Sequence, residues 1–319
     1  MNGVAVSESW AADEQSATGV VRYEADEHVA RITLNRPHHG NSITSQMAGE
    51  LARFVERANL DPAIHVIALA GEGAGFCAGY DLDDSMQTLR GGGCGATPAS
   101  ARSPLDGETI AANHDPGRPW DPIVDYQMMS RNAAGLRSMF DSEKPVVCKV
   151  HGFCVAGGAD LALSADLIVI EDEAKFGHPP ARAWGIPTSG LWASRVGAMR
   201  AKRLLFTGDC LSGREAVEWG FAIESAPLAR LEERFETLLQ RIALVPVNQL
   251  VMQKLLINHQ VEAQGMPTSQ LLGVIFDGIA RHTPEGHAFA SVAQSEGWRA
   301  AVRSRDGPFG DLGRSTFKG

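Results

Sequence analysis

Residues 146–182 constrain the fold more strongly than any other stretch, because they place a glycine turn between two apolar strands. The runs 146–150 and 167–170 are β-branched and apolar, as is typical of buried strands. Between them, a glycine pair at 157–158 precedes the helix-forming residues 159–163. Such a corner leaves backbone N–H groups unpaired at a helix start and attracts negative charge. We therefore predict that the chemistry takes place here.

A second corner of the same kind lies upstream. Residues 65–70 (HVIALA) are typical of a strand, and the glycine-rich segment 71–82 (GEGAGFCAGYDL) follows. This segment fits the pattern G-x-F-x-A-G-x-D-L at Gly75, Phe76, Ala78, Gly79, Asp81 and Leu82. A second signature, a glycine-rich strand-to-helix turn after a V-x-G segment, is matched by Val150-His151-Gly152 and the glycine pair. The pattern F-G-x-P is matched further on by Phe176-Gly177-His178-Pro179.

These three segments, in this order, resemble the crotonase superfamily, the enoyl-CoA hydratase/isomerase family. The resemblance covers about residues 20–225. It implies an α/β fold with a crotonase-like ββα spiral core, in which two stacked sheets are flanked by helices. A helical oligomerisation region would follow the core, because the family forms trimers and dimers of trimers.

The chain divides accordingly. We predict a disordered tail at 1–18, a crotonase core at 19–225 and a helical region at 226–319. Within the core, 83–135 is rich in glycine and proline, so it is predicted to be an irregular insertion near the acyl pocket. A loop of this length is either a lid or disordered, and its composition leaves both open.

Two capping patterns predict helix starts: Thr44 before a helix at 45–58, and Ser212 to Glu215 as a capping box. A short strand is expected at 221–224. Four amphipathic helices are predicted at 228–245, 247–264, 268–282 and 284–303. Their apolar positions Leu255, Leu256, Leu271, Leu272 and Ile275 fit either a subunit interface or an ordinary core.

Composition excludes several function classes. A formal net charge of −9 argues against a nucleic-acid partner. The chain has no run of about 18 apolar residues, and its first residues lack the features of a secretion signal, so no membrane association is expected. The five cysteines form no C-x-x-C pair, which indicates reduced thiols and a cytoplasmic protein. Neither H-E-x-x-H nor G-x-S-x-G occurs, and no metal site is predicted.

The resemblance implies a substrate and an oxyanion hole. The substrate would be an acyl-CoA or enoyl-CoA thioester whose carbonyl becomes an enolate, and two N–H donors would stabilise the developing charge. The family signatures assign these donors to the backbone of Tyr80 and Gly157, with Ala78, Gly79, Asp81 and Gly158 beside the substrate. His39 lies either in the coenzyme A groove or in a surface turn. No cofactor is expected, because coenzyme A is carried by the substrate.

The acid/base residues depart from the family pattern. Asp160 stands where the hydratases have one of two glutamates that hold and activate water, so it is the first candidate for proton transfer. The second glutamate should follow the F-G-x-P proline, but Pro180 occupies that position and cannot transfer a proton. His178 could replace it, since an imidazole titrates near neutrality. The acids of the insertion that remain open are Glu108, Asp115, Asp121 and Asp125.

Other functions remain to be weighed. Gly73 to Ala78 satisfies the dinucleotide-binding pattern G-x-G-x-x-A, but residues 97–99 (TPA) lack the acidic residue which that fold requires. The serious alternative is a non-catalytic acyl-CoA-binding homologue, which Pro180 favours. A different crotonase reaction, such as thioester hydrolysis or dehalogenation, also remains open. Our first interpretation is a hydratase or double-bond isomerase.

Overall fold

The structure is a computed structural model that describes residues 19–82, 110 and 121–310. Nine strands form two sheets within these residues. The strands are β1 (Val21–Asp26), β2 (Val29–Leu34), β3 (Val66–Gly71), β4 (Val146–Val150), β5 (Phe153–Val155), β6 (Leu167–Glu171), β7 (Lys175–Gly177), β8 (Cys210–Leu211) and β9 (Glu224–Ala226).

The larger sheet has the order β1-β2-β3-β4-β6-β9. A hairpin joins β1 to β2 antiparallel, and every later pairing in this sheet is parallel, with Ile67 opposite Val146 and Cys148 opposite Ile168. Strand β3 and, apart from the half-buried Lys149, strand β4 are apolar on both faces because both faces are covered, as parallel sheets require.

The smaller sheet, β5-β7-β8, begins directly after β4. The chain changes sheets at Gly152, which has a φ of 59°. A Cβ atom there would lie 2.0 Å from the carbonyl oxygen of Ala74, so only glycine fits this passage between the two corners. The sheet change therefore brings the segment after Gly152 against the upstream glycine-rich segment.

Helices cover the sheets and extend the chain beyond them. They are α1 (Ser45–Leu60), α2 (Pro122–Asp141), α3 (Gly157–Ser164), α4 (Trp192–Val196), α5 (Ala198–Thr207), α6 (Gly213–Trp219), α7 (Leu228–Ala243), α8 (Val247–Ala263), α9 (Met266–Arg281), α10 (Pro284–Glu296) and α11 (Trp298–Asp306). Short 3-10 turns lie at Pro37–His39, Pro179–Arg182 and Gly307–Phe309. No helix in the described part of the chain is long and apolar enough to cross a bilayer.

The predicted α/β fold with a helical C-terminal region is confirmed. The Thr44 side chain accepts a hydrogen bond from the Met47 N–H and begins α1 as expected, and the Ser212–Glu215 capping box is present. The predicted strand at 221–224 is displaced to β9, which begins at Glu224. The tail at 1–18 lies outside the described residues.

The sequence prediction was wrong at two helices. The insertion is not irregular as far as residue 135, because α2 begins at Pro122. The Asp121 side chain caps the Ile123 N–H, and proline at the first helical position is a recognised helix start that the sequence contained. The predicted helix 284–303 is interrupted at Gly297, which has a φ of 85°, so α10 and α11 are separate helices.

Candidate active site

The two glycine corners meet in the structure. The segment after β3 runs parallel to β5, with Cys77 opposite Cys154, and the Val155 N–H donates to the Cys77 carbonyl at 3.0 Å. Gly158 packs on this segment, and a Cβ atom on it would lie 2.5 Å from the Cys77 oxygen. A Cβ atom on Gly79 would lie 3.3 Å from the Gly157 nitrogen. Glycine is therefore required on both sides of the contact.

The backbone N–H groups of Tyr80 and Gly157 lie at this contact without a hydrogen-bond acceptor in the described chain. Tyr80 pairs with Ile43 in a parallel bridge, in which Ile43 and Asp81 donate the hydrogen bonds. The Tyr80 N–H therefore points away from Ile43, and Gly157 is the first residue of α3. Within the described chain neither N–H donates a hydrogen bond to protein.

Ala156, the residue before α3, has a strained backbone. Its φ of 56° and ψ of −129° are unusual for a residue with a Cβ atom. The Ala156 N–H donates to the Gly177 carbonyl of β7 at 2.9 Å, which holds the turn in place. Strain of this kind persists only where the surroundings impose it, and it is concentrated at functional sites.

A cavity of about 330 Å³ opens at this corner. At the corner it is lined by Ala78, Tyr80, Gly157, Asp160 and His178. Its apolar walls are formed by Met128, Met129, Trp184, Phe289, Trp298 and Val302. A mostly apolar cavity with a small number of polar groups is typical of small-molecule sites.

Asp160 is buried in the first turn of α3, with 1% of its surface exposed. The Trp192 indole donates to Oδ1 at 2.8 Å, whereas the backbone N–H and the hydroxyl of Thr188 donate to Oδ2 at 2.8 and 3.1 Å. Since a carboxylate oxygen accepts two hydrogen bonds readily, Oδ1 keeps capacity for one further donor. Asp160 is thus firmly positioned, and part of it remains available to a ligand.

His178 differs from Asp160 because neither of its ring nitrogens has a hydrogen-bond partner of ordinary geometry in the described structure, although the backbone of Ala156 and of Gly185 lies near the ring. The ring is 4% exposed, stands edge-on to Trp192 and lines the cavity. Burial lowers the pKa of His178, although the nearby Asp160 carboxylate opposes this effect. The imidazole is therefore neutral near pH 7, and it can both accept and donate a proton.

Pro180 lines the cavity with an apolar side chain, at the position where the family pattern would place the second glutamate. It lies in the 3-10 turn Pro179–Arg182, and its carbonyl accepts hydrogen bonds from the N–H groups of Ala183, Trp184 and Gly185. The turn is anchored by the buried Arg182 side chain, which donates to Asp209 at 3.0 Å. Several hydrogen bonds therefore hold the position of the missing glutamate, and the Pro180 side chain there cannot transfer a proton.

The remaining predicted site residues either support the glycine corners or lie outside the cavity. The Asp81 carboxylate accepts from Arg36 at 2.9 Å and from the Ser42 hydroxyl at 2.8 Å, so it braces the segment that carries Tyr80. His39 is exposed in the Pro37–His39 turn and does not line the cavity. Gly79 and Gly158 act through backbone contact between the corners, as described above.

Sequence reasoning missed part of the cavity wall. The Nη2 atom of Arg281 of α9 donates to both carboxylate oxygens of Asp125 of α2 at 2.6 and 2.7 Å, and its Nη1 atom donates to Asp277 at 2.6 Å. All three line the cavity. Burial raises the pKa of Asp277. Asp125 was one of the open acids of the insertion, but no sequence signal indicated that α9 would meet it.

Comparisons with known proteins agree with this geometry. The family model described as enoyl-CoA hydratase/isomerase matches residues 24–94 and 122–279. A 1,2-epoxyphenylacetyl-CoA isomerase from Escherichia coli K12 is 30% identical over 72% of this chain and 78% of its own length. A hydroxycinnamoyl-CoA hydratase-lyase from Pseudomonas fluorescens is 28% identical over 67% of this chain and 68% of its own.

Solved structures extend the likeness over nearly the whole chain. A crystal structure of an enoyl-CoA hydratase from Mycobacterium smegmatis is 52% identical, covers 92% of this chain and 95% of its own, and has a TM-score of 0.81. The chain belongs to the enoyl-CoA hydratase/isomerase family, within the crotonase superfamily. It is an enoyl-CoA hydratase/isomerase-like enzyme that processes acyl-CoA thioesters.

Proposed function

We propose that this enzyme hydrates or isomerises an enoyl-CoA thioester through an enolate held by the N–H groups of Tyr80 and Gly157. One observation supports the proposal: the two segments that carry these otherwise unpaired N–H groups come from distant parts of the chain and contact one another at the end of one cavity. An enolate oxygen between them would accept both hydrogen bonds. Donors fixed in advance stabilise developing charge without reorganisation.

The proton carrier in this proposal is His178, with Asp160 as its partner. In hydration, His178 removes a proton from water as the water oxygen bonds to the β carbon. The electrons move onto the thioester oxygen, and the resulting imidazolium then protonates the α carbon. In isomerisation the same imidazole removes one carbon-bound proton and returns it elsewhere. The remaining lone pair on Asp160 Oδ1 accepts a hydrogen bond from the water and orients it. The negative charge of the Asp160 carboxylate stabilises the imidazolium.

The oxyanion hole has a test that does not depend on turnover. A 3-ketoacyl-CoA such as acetoacetyl-CoA gains near-ultraviolet absorbance when it becomes an enolate. Binding to the wild-type enzyme should raise this absorbance at a pH where the free thioester is mostly ketone. His178→Gln should keep the absorbance, since it leaves both N–H groups in place. Saturating binding without the enolate band would overturn the assignment.

The second candidate is the non-catalytic acyl-CoA binder, which Pro180 favours. Assays with crotonyl-CoA and longer 2-enoyl and 3-enoyl thioesters separate it from an enzyme that acts on enoyl thioesters. Binding of all of them with no change in any would support the binder. Release of free thiol or halide from a suitable acyl-CoA would instead indicate a thioester hydrolase or a dehalogenase. No cofactor enters the proposed reaction, and no metal does.

We also propose a homotrimer or a dimer of trimers. Large apolar side chains of α8 and α9 are solvent-exposed in the single chain, and they include Leu255, Leu256, Leu271, Leu272 and Ile275. An exposed apolar surface of this kind indicates an interface. Leu256→Glu should lower the mass measured by light scattering, whereas Leu60→Glu, on the exposed end of α1, should not. A monomeric wild-type enzyme would contradict the proposal.

A cytoplasmic location and a role in fatty acid metabolism are further proposals. The described cysteines Cys77, Cys148, Cys154 and Cys210 are all buried free thiols. Cys77 and Cys154 stay unlinked although they are opposite one another across a parallel bridge. Reduced cysteines in this arrangement fit a reducing compartment. Fractionation of the source cells, with a marker for each compartment, tests the location.

A further inference from the structure

Unsatisfied polar atoms are concentrated in the cavity, beyond the two nitrogens of His178. The hydroxyl of Tyr80 and the Oδ1 atom of Asn132 are buried, line this cavity and have no hydrogen-bond partner in the described chain. Buried polar groups normally have partners, because leaving them unpaired costs free energy. Both atoms therefore indicate a polar ligand group, and neither is used in the proposed reaction.

Tyr80 extends from the oxyanion corner into the acyl part of the cavity. Its ring lies against Gly157, where an added Cβ atom would be 2.8 Å from Cε2, and packs on the cluster of Met129, Ala133 and Val274. The Thr188 hydroxyl is near the phenol, but no hydrogen bond of ordinary geometry joins them. Burial raises the pKa of Tyr80, so the phenol is protonated and can donate.

Asn132 presents an acceptor from the neighbouring wall. It is 5% exposed on α2, one turn beyond Met129. Its Nδ2 group faces the Met129 sulfur at 3.9 Å, which orients the amide and leaves Oδ1 without a donor. An amide oxygen only accepts hydrogen bonds, so the ligand must bring a donor to this place.

The charged groups of the cavity argue against an ionic substituent. Arg281 is neutralised by Asp125 and Asp277, and Arg305 is paired with Asp306. Neither guanidinium is available to a carboxylate on the acyl chain. Lys175 also lines the cavity and already has an interaction partner, and much of the remaining wall is apolar, including Met128, Trp184 and Phe289. The site therefore fits an uncharged acyl group with an apolar body.

We propose that Tyr80 and Asn132 are specificity-determining residues that select an acyl-CoA whose acyl group carries a hydroxyl. A hydroxyl both donates and accepts, so it can donate to Asn132 Oδ1 and accept from the Tyr80 phenol. A ketone or ether would leave Asn132 unpaired. This inference rests on the proposed function, since it takes the thioester carbonyl to lie at the N–H groups of Tyr80 and Gly157.

The test uses two pairs of saturated CoA thioesters, which bind but have no double bond to react. One pair is 3-phenylpropanoyl-CoA and 3-(4-hydroxyphenyl)propanoyl-CoA, and the other is octanoyl-CoA and 8-hydroxyoctanoyl-CoA. Dissociation constants are measured by calorimetry for the wild type, Tyr80→Phe and Asn132→Leu. We expect the wild type to bind the hydroxylated member of at least one pair about 10-fold or more tightly.

The variants assign that preference to the two side chains. Tyr80→Phe and Asn132→Leu keep the shape of the cavity and the Tyr80 N–H, so each should bind the unhydroxylated member as well as the wild type or better and lose most of the preference. Asn248→Leu, at an exposed position of α8 outside the cavity, serves as the matched control and should keep the preference. Equal affinity for both members of both pairs, or a preference that survives both variants, would overturn the inference.

Failure of the proposed function would give a different result. If the cavity does not take acyl-CoA, none of the four thioesters will bind, and the acetoacetyl-CoA enolate band will also be absent. If only the inference is wrong, the thioesters will bind without discrimination and the enolate band will remain.

Discussion

The two ends of the cavity are built in different ways. At the proposed oxyanion end the groups proposed to act are the backbone N–H groups of Tyr80 and Gly157, and the local sequence sets the contact between their segments through Gly79, Gly157 and Gly158. At the acyl end the groups are side chains from α2, α9, α10 and α11 and from the turn after β7. The first end is defined by conformations that few residues adopt, whereas the second depends on how distant helices pack.

The same contrast separates Asp160 from His178 within the oxyanion end. Asp160 accepts three hydrogen bonds and is held in one orientation, whereas His178 is also buried and makes none of ordinary geometry. A buried polar group without partners is costly, so its retention indicates a role that a fully bonded group could not perform. We therefore expect the backbone corner to tolerate least change, His178 to matter for proton transfer more than for stability at neutral pH, and Asp160 to matter for both chemistry and stability.

The largest expected effect comes from Gly79→Ala. The new Cβ atom would lie 2.7 Å from the Ala156 Cβ and would push the two corners apart, so turnover should fall by roughly 100- to 1000-fold, as when one oxyanion donor is lost. The acetoacetyl-CoA enolate band should weaken in parallel. Gly197→Ala is the matched control, because its φ of 78° is also positive but no atom lies within 4 Å of the added group. Similar losses in both variants would mean that backbone strain alone is responsible.

His178→Gln should lower kcat by about 100-fold or more, the usual contribution of a positioned acid or base. KM and the enolate band should change little, since the oxyanion donors remain. The comparison variant is His39→Gln, which alters an exposed histidine outside the cavity and should leave kcat unchanged. A fully active His178→Gln enzyme would return the proton-transfer role to Asp160 or to another acid.

The pH dependence of kcat/KM should report the same imidazole. Because burial lowers the pKa of His178 below its usual 6.5, the neutral base persists at neutral pH and the rate falls only as pH decreases through that lowered value.

The free energy of unfolding should also decrease as pH falls. The unfolded state gains a proton on this histidine below about pH 6.5, before the folded state does, so protonation favours the unfolded state in this pH window. His178→Gln should remove this step from the stability profile measured by denaturant titration.

Asp160→Asn should reduce kcat by about 10-fold while leaving acyl-CoA affinity nearly unchanged. An amide keeps one acceptor but directs its NH₂ group at the Trp192 or the Thr188 donors, so one donor–donor contact results. The variant should therefore also lose about 1–3 kcal/mol of folding stability. Thermal denaturation and steady-state kinetics measure the two effects separately. Undiminished turnover would exclude Asp160 from the chemistry.

Much of the oxyanion end could be predicted from sequence. The glycine patterns at 71–82 and 157–158 identified both corners, and the structure brings them together. The reason is physical: close backbone approach needs glycine at particular spacings, and this leaves a readable pattern. The family likeness then supplied the fold. Which residue carries the proton is still a prediction, because spacing along the chain does not show which side chains have hydrogen-bond partners.

The acyl end could not be predicted in the same way. Asp277 and Arg281 are on α9, far along the chain from Asp125, and their ion pairs depend on how α9 packs on α2. The start of α2 was missed at Asp121-Pro122 because the glycine-rich composition of the preceding residues outweighed a valid capping signal. The division at Gly297 was missed because a single glycine inside an apolar periodicity is often tolerated.

The smallest expected effect comes from Thr188→Val, which sharpens the comparison between Asp160 and His178. The change removes the hydroxyl donor at 3.1 Å but leaves the Thr188 N–H, and the side chain keeps its shape. Stability should fall by about 1 kcal/mol and kcat by less than about threefold, because Asp160 keeps two of its three hydrogen bonds. Thr237→Val, at an exposed position of α7, controls for loss of a hydroxyl. A loss of turnover as large as that of Asp160→Asn would show that the orientation of the carboxylate, rather than its charge, limits the reaction.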